Sequence, residues 1–295
     1  SSGDVISTAG PGGAIVMYLI GGFIVWLMTS CLGELSAIMP VAGSLQAYST
    51  EFISPAMGFT IGWVNWIGAA ATITAQIVAS AIIMKDILPN TPTWMWIVIF
   101  AVILFGVNFL DAQKFGDVSF WVSSLKILLV AAFVIVGVAL MCGAGDGEAI
   151  GLSNYTDDGL FPTGIAGMGA VTLTSFYAYA GTEVVASAAG ELKDEKAVPK
   201  MINLTILILI LVTVVAIAVV AAILPWQEAS VLGSPFVYAF RHVGLSSAAL
   251  IVNLIVLTAA LTSGNYFTYA CARYLWSMAK FGQAPKICAK TSKKG

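Results

Sequence analysis

Seven stretches of this chain are each long enough and apolar enough to cross a lipid bilayer, and they leave little else for it to fold into. They lie near Gly12–Ile38, Met57–Lys85, Thr93–Leu110, Val118–Cys142, Gly164–Ala189, Met201–Leu224 and Leu245–Met278. A helix needs about 20 apolar residues to cross the hydrocarbon core, whereas a transmembrane strand needs only about 10. Repeated runs of this length specify an all-α polytopic membrane protein and exclude a β-barrel. All ten prolines (Pro11, Pro40, Pro55, Pro89, Pro92, Pro162, Pro199, Pro225, Pro235 and Pro285) fall in the connections or at segment edges. Inside a helix each would remove a hydrogen bond and clash with the preceding turn. Only 9% of residues are charged, against about 25% in a soluble domain, so a water-exposed surface of the usual kind cannot be built.

The charges that remain orient the spans. Counted alternately, one set of connections holds Lys114, then Lys193, Lys196 and Lys200, then the tail from Lys280 to Lys294; the other holds only Lys85 and Arg241, with Asp146, Glu148, Asp157 and Asp158. The positive-inside rule puts the Lys-rich set in the cytoplasm. The stretch after Pro40, the 111–117 turn, the 190–200 loop and the C-terminal tail are therefore expected to be cytoplasmic. The Gly143–Phe161 and Pro225–Gly244 loops are expected outside. Ser1–Pro11 has neither a basic nor an apolar leader region, and Asp4–Ala9 reads as the tail of an earlier span. The four cysteines, Cys31, Cys142, Cys271 and Cys288, have no metal-ligand spacing, and no metal site or cofactor is expected.

A charged group inside a span costs at least about 2.5 kcal/mol on insertion scales, which singles out a short list. Lys126 lies about a third of the way into the fourth segment and Glu183 in the middle of the fifth; Gln76 and Asn265 are uncharged but also deep. Arg273 and Glu34 sit near the cytoplasmic ends of their segments, where long side chains snorkel to the interface. Asn265 reads equally as a hydrogen bond between helices, and Lys126 as a side chain snorkelling inward. Desolvation of an isolated carboxylate favours its protonated form, so Glu183 suits a proton-coupled cycle; the alternative is a carboxylate that bonds a backbone amide and never titrates. Around it, Ser175, Phe176, Tyr177, Ala178, Tyr179, Ala180, Gly181 and Thr182 gather aromatic residues and a glycine at mid-span. Glycine lowers the cost of unwinding, and discontinuous helices occur where backbone lines a cavity. The expectation is an irregular backbone from Phe176 to Thr182, its carbonyls turned to a substrate.

Several motifs resemble one family. Gly10, Pro11, Gly12 and Gly13, then Leu32, Gly33, Glu34 and Leu35 before Pro40, resemble the signature of the amino-acid transporter family of the amino acid–polyamine–organocation superfamily. The run Gly58–Trp63 with Trp66 looks like its third helix. Gly181, Thr182 and Glu183 with Ala188 to Glu191 look like its sixth; Ser263, Gly264 and Asn265 with Ala272 to Leu275 and Gly282 to Pro285 look like its eighth and the exit loop. Leu152, Ser153, Asn154, Tyr155 and Thr156, with Ser234, Pro235 and Phe236, are similar to bacterial lysine-type permeases.

The resemblance implies a LeuT-type inverted-repeat fold of twelve helices. Residues 1–295 would be an incomplete permease domain running from the end of helix 1 through helix 8. It implies substrate contacts at Phe176, Tyr177, Ala178, Tyr179, Gly181, Ile73 and Gln76, and proton coupling through Glu183 and Lys126. It also implies a cation site taken by the Lys126 amine near Ser263, so that no sodium is needed. Gln76 stands where many relatives carry an acid, which argues against lysine as substrate.

The function expected is secondary active uptake of amino acids across the cytoplasmic membrane by proton symport. Its partners are the amino acid, the proton and the bilayer. An exchanger of the same fold and a non-transporting truncated scaffold are the alternatives. No filter-like repeated polar face suggests a channel, and no phosphate loop suggests a nucleotide-driven pump. His242, the single histidine, lies in an outer loop, so no enzyme is expected, and no basic patch suggests nucleic acid.

Overall fold

The computed structural model describes residues 2–39, 41, 43–108, 112–143, 149, 151–182, 198–229 and 246–290. Those residues form helices and turns: α1 (Ser2–Ile38), α2 (Leu45–Phe52), α3 (Pro55–Ile87), α4 (Thr93–Val107), α5 (Ala112–Met141), α6 (Ser153–Thr156), α7 (Gly164–Ala170), α8 (Thr172–Tyr177), α9 (Val198–Ile223) and α10 (Ser246–Lys280), with a 3₁₀ turn at Lys286–Ala289. Among them, the stretches Ser2–Ile38, Pro55–Lys85 and Pro199–Ile223 are long and apolar enough to cross a membrane; Thr93–Val107 and Ile127–Met141 are shorter apolar helices. Six of the seven apolar segments thus appear as single helices. The fifth does not. It is broken into α7 and α8 and leaves helix at Tyr177, and residues 183–189 of that segment lie outside the described residues.

The chain divides into two compact units. The first comprises Ser1–Met28, Ser124–Ala180 and Asn203–Ile255; the second comprises Thr29–Ser123, Gly181–Ile202 and Val256–Gly295.

In the first unit, Val5, Ile6, Tyr18, Phe133, Leu140, Val171, Tyr179, Val220 and Leu224 close on one another as an apolar core. α1 is interrupted at Gly10, whose φ of 75° and ψ of 172° are not helical. Pro11 follows at the first position of the resumed helix, where its missing N–H costs nothing. A side chain at residue 10 would run into the ring of Pro162, 2.5 Å from a Cβ, and the Gly12 N–H donates to the carbonyl of Leu160 (2.9 Å). The glycine-rich start is therefore fitted to the loop that precedes α7.

The stretch 152–156 acts as a cap. Asn154 Nδ2 donates to the carbonyl of Ala222 (2.7 Å) and the Tyr155 hydroxyl to that of Ala218 (2.6 Å). Ala222 lies in the last turn of α9, where carbonyls have no partner inside the helix. Trp226 and Gln227, just beyond α9, donate to Asp158 Oδ2. Burial pushes the Tyr155 hydroxyl up to about 12 from its usual 10. Replacing Tyr155 with Phe should lower the unfolding free energy by about 1 kcal/mol, the net worth of one such hydrogen bond, as read by thermal melts in detergent. The sign of the pH effect follows from the raised value: the unfolded tyrosine ionises first, so stability is intact below pH 10 and falls as pH rises from there toward 12. The Phe variant should lack that loss.

In the second unit, α3 and α10 meet through small residues. A Cβ on Gly62 would lie 2.6 Å from Met278 Sδ, and Ala69, Phe267, Ala270, Tyr274 and Met278 form a buried cluster with Trp63, Trp66 and Ile73. Lipid offers no hydrophobic drive for helix association, so close contact at small residues takes its place. α2 is held by polar groups. Gln46, 1% exposed, donates from Nε2 to Gln283 Oε1 (2.7 Å) and accepts from Ser277 Oγ (2.8 Å) at its Oε1. Gln283 Nε2 donates to the carbonyl of Pro55 (3.1 Å). α10 ends in a Schellman turn at Gly282, with the Gln283 N–H bonded back to the Met278 carbonyl (2.7 Å), and this turn presents Gln283 to α2.

Candidate functional site

The break expected in the fifth segment is present. α7 ends at Ala170, Val171 turns with φ −97° and ψ 3°, and α8 runs only six residues to Tyr177. Beyond it the bonds shorten from i→i−4 to i→i−3: Tyr179 N–H to the Phe176 carbonyl (3.0 Å) and Ala180 N–H to that of Tyr177 (3.1 Å). Gly181 then takes φ 96°, a conformation open to glycine and costly for residues with a Cβ. Of the carbonyls expected to be free for a substrate, several already accept hydrogen bonds. Those of Phe176 and Tyr177 are used by the turn itself, and that of Gly181 accepts from the Tyr266 hydroxyl (3.2 Å). The carbonyls of Ala178 and Ala180 accept no hydrogen bond among the described residues.

Within the first unit, the break is tied to α1. The Tyr179 side chain is 1% exposed; its hydroxyl donates to the Tyr18 carbonyl (2.9 Å) and its ring meets that of Tyr18 edge-on at 6.5 Å. The Phe176 ring lies over Gly21, 2.6 Å from where a Cβ would stand. Tyr177 and Ala178 are exposed. Aromatic side chains on alternate sides of the turn thus have separate tasks: Phe176 and Tyr179 clamp it to α1, and Tyr177 is left outward.

Within the second unit, four of the expected residues converge on one stretch of α10, from Ser263 to Phe267. Gln76, half-buried on α3, faces Gly264, whose Cβ would lie 3.4 Å from the Gln76 Cβ and 3.1 Å from Leu104 Cδ1. Ile73 packs with the Phe267 cluster. A Cβ on Gly181 would lie 3.3 Å from Phe267 Cζ and 3.6 Å from Tyr266 Cε1. Ser263 is half-buried at the start of the same stretch. Asn265 is 4% exposed and its Oδ1 accepts from Asn108 Nδ2 (2.5 Å) at the end of α4, so the reading of Asn265 as a hydrogen bond between helices holds.

Tyr266 and Asn108 escaped the sequence reading. Asn108 lies near the end of the Thr93–Leu110 segment, and neither it nor Tyr266 carries a charge to single it out. The Lys126 backbone lies in α5 and its side chain is outside the described residues, as are Glu183, Arg241 and His242 entirely.

Comparisons with known proteins agree with this all-helical arrangement. The family model described as amino acid permease matches residues 1–295. The amino-acid permease RocE of Bacillus subtilis (strain 168) is 40% identical over the whole of this chain and 64% of its own length. The lysine-specific permease LysP of Escherichia coli (strain K12) is 37% identical, over the whole chain and 63% of its length. The gamma-aminobutyric acid permease of Bacillus subtilis (strain 168) is 38% identical, again over the whole chain and 63% of its length. The chain thus spans less than two thirds of the relatives it matches. A match along all 295 residues, on helices of membrane-spanning length, makes this a multi-pass membrane protein that belongs to the amino acid permease family.

Proposed function

We propose that this chain forms part of a secondary active transporter that takes up amino acids across the cytoplasmic membrane by proton symport. On this reading, residues 1–295 are one incomplete permease domain of LeuT-type inverted-repeat fold, running from the end of helix 1 through helix 8, with the Lys-rich connections and tail in the cytoplasm. The observation that carries it is the break at 178–182, where backbone polar groups leave the helical ladder inside a segment of membrane depth. Such backbone is tolerated in a bilayer only where it lines a cavity or is buried in protein.

In the first unit, Phe176, Tyr177, Ala178 and Tyr179 shape the break, and the Ala178 and Ala180 carbonyls are the acceptors for a substrate ammonium. In the second, Gly181, Ile73 and Gln76 are the expected contacts. Gln76 beside Gly264, with the uncharged Asn108–Asn265 pair on the same stretch of α10, supports a substrate with an uncharged side chain over lysine. Glu183 would carry the proton. The Lys126 ammonium, near Ser263, would supply the positive charge that other members draw from sodium.

Uptake of radiolabelled amino acids into proteoliposomes holding the full-length protein tests this. An inward proton gradient should drive accumulation, and replacing all sodium with choline should change the initial rate less than about twofold. Strict sodium dependence would overturn the Lys126 role; uptake only against a preloaded amino acid would make the protein an exchanger; no uptake of any amino acid would remove the transport reading.

A further inference from the structure

Within the second unit, the side chain that holds Gly181 is Tyr266. Its hydroxyl donates to the Gly181 carbonyl at 3.2 Å. The contact joins residues 85 positions apart in sequence, so it is a tertiary restraint on the turn and not a by-product of helix geometry. The ring is held in turn: it meets Phe267 edge-on at 5.7 Å, 82° between planes, and both rings bracket the face of Gly181 where a Cβ would point. Phe267 is 7% exposed within the α3–α10 cluster. Gly181 has a φ that no helix supplies and that glycine reaches freely, so outside contacts are what restrict it to this one conformation. Among the described residues, the hydroxyl–carbonyl bond and the two flanking rings do this.

We propose that Tyr266 is a positioning residue for substrate binding: by holding the Gly181 carbonyl it sets the direction of the turn whose neighbouring carbonyls receive the substrate. The inference rests on the transport reading above, to which it adds the residue that orients the site. Tyr266 itself need not touch the substrate. The Tyr266 hydroxyl takes up one lone pair of the Gly181 carbonyl, so the Ala178 and Ala180 carbonyls, which accept nothing among the described residues, have the greater capacity for the ammonium.

The test is Tyr266→Phe in the full-length protein, which keeps the ring, its edge-on contact and the packing against Gly181 and deletes only the donor. Two measurements are made. Hydrogen–deuterium exchange should be faster in peptides covering 176–182 and unchanged in α3 and in the rest of α10. In proteoliposomes, KM for the transported amino acid should rise about three- to tenfold, the range that loss of one neutral hydrogen bond gives, with maximal velocity within about twofold. A residue that only packs would leave both unchanged. Unchanged exchange at 176–182 overturns the proposal whether or not the wild type transports. Faster exchange with an unaltered KM also overturns it, because the turn would then be held without serving the substrate. If the wild-type protein carries no amino acid, the transport reading falls, and with it the substrate role given to Tyr266.

Discussion

Substituting Gly181 with Ala in the full-length protein is expected to lower the initial rate of amino-acid uptake about ten- to a hundredfold. Residue 181 has φ 96°, where a residue with a Cβ is strained by about 1–3 kcal/mol, and each 1.4 kcal/mol is a factor of ten in an equilibrium. The steric term adds to this. The new methyl would stand 3.3 Å from Phe267 Cζ, and Phe267 has little room to yield inside its cluster. The chain would relieve the strain by turning residue 181 toward ordinary backbone angles, and the Ala178–Thr182 turn would turn with it. Strain alone could lower the amount of folded protein, so a control is needed. Gly159 also has positive φ, 78°, and a Cβ there meets nothing within 4 Å. Gly159→Ala should therefore cost similar backbone strain with uptake per folded molecule unchanged. Equal losses in the two variants would show that the break has no special place in transport; full activity in Gly181→Ala would show that the turn is incidental.

The long elements were legible because lipid imposes a simple rule. A segment that leaves water must satisfy its own backbone, and a helix does so without partners. The runs that became α1, α3, α4, α5, α9 and α10 could be read from apolar length and proline placement alone. The break in the fifth segment was legible for a related reason: Gly181 among Phe176, Tyr177 and Tyr179 is an expensive place for a continuous helix. What stayed hidden depends on distant contacts. α2 is short and polar, and nothing in the run from Leu45 to Phe52 announces a helix; its order comes from Gln46 meeting Ser277 and Gln283, more than 230 residues away. The residues 152–156 were read as a family likeness, and the structure gives them a mechanical task at the end of α9. Gly10 belonged to a recognised motif, yet the reason for a glycine there is Pro162, which sequence alone cannot place. The role of Tyr266 was invisible for the same cause, since its partner is a carbonyl 85 residues earlier.

Replacing Glu183 with Gln is expected to abolish concentrative uptake while sparing substrate binding. In sequence Glu183 directly follows Gly181 and Thr182, the last described residues of the turn. Burial disfavours the charged form and an aqueous opening favours it, so a cycle that alternately exposes and encloses this group would load and release one proton per turn. Each unit of difference in proton affinity between the two conformations is worth about 1.36 kcal/mol. Two units would therefore bias the cycle about a hundredfold in favour of moving substrate with a proton. Gln has the shape of the protonated acid and cannot release its proton. The variant should bind amino acid with a Kd within about threefold of wild type, and should still equilibrate labelled substrate across the membrane. Accumulation against a gradient, and the dependence of the initial rate on external pH, should both be lost. Flux coupled to proton movement separates this outcome from simple damage, since a misfolded variant would lose binding and equilibration together. If Glu183→Gln still concentrates substrate with the wild-type pH profile, Glu183 serves only to hold the backbone at the break, and the proton must travel by another group, Lys126 being the next to test.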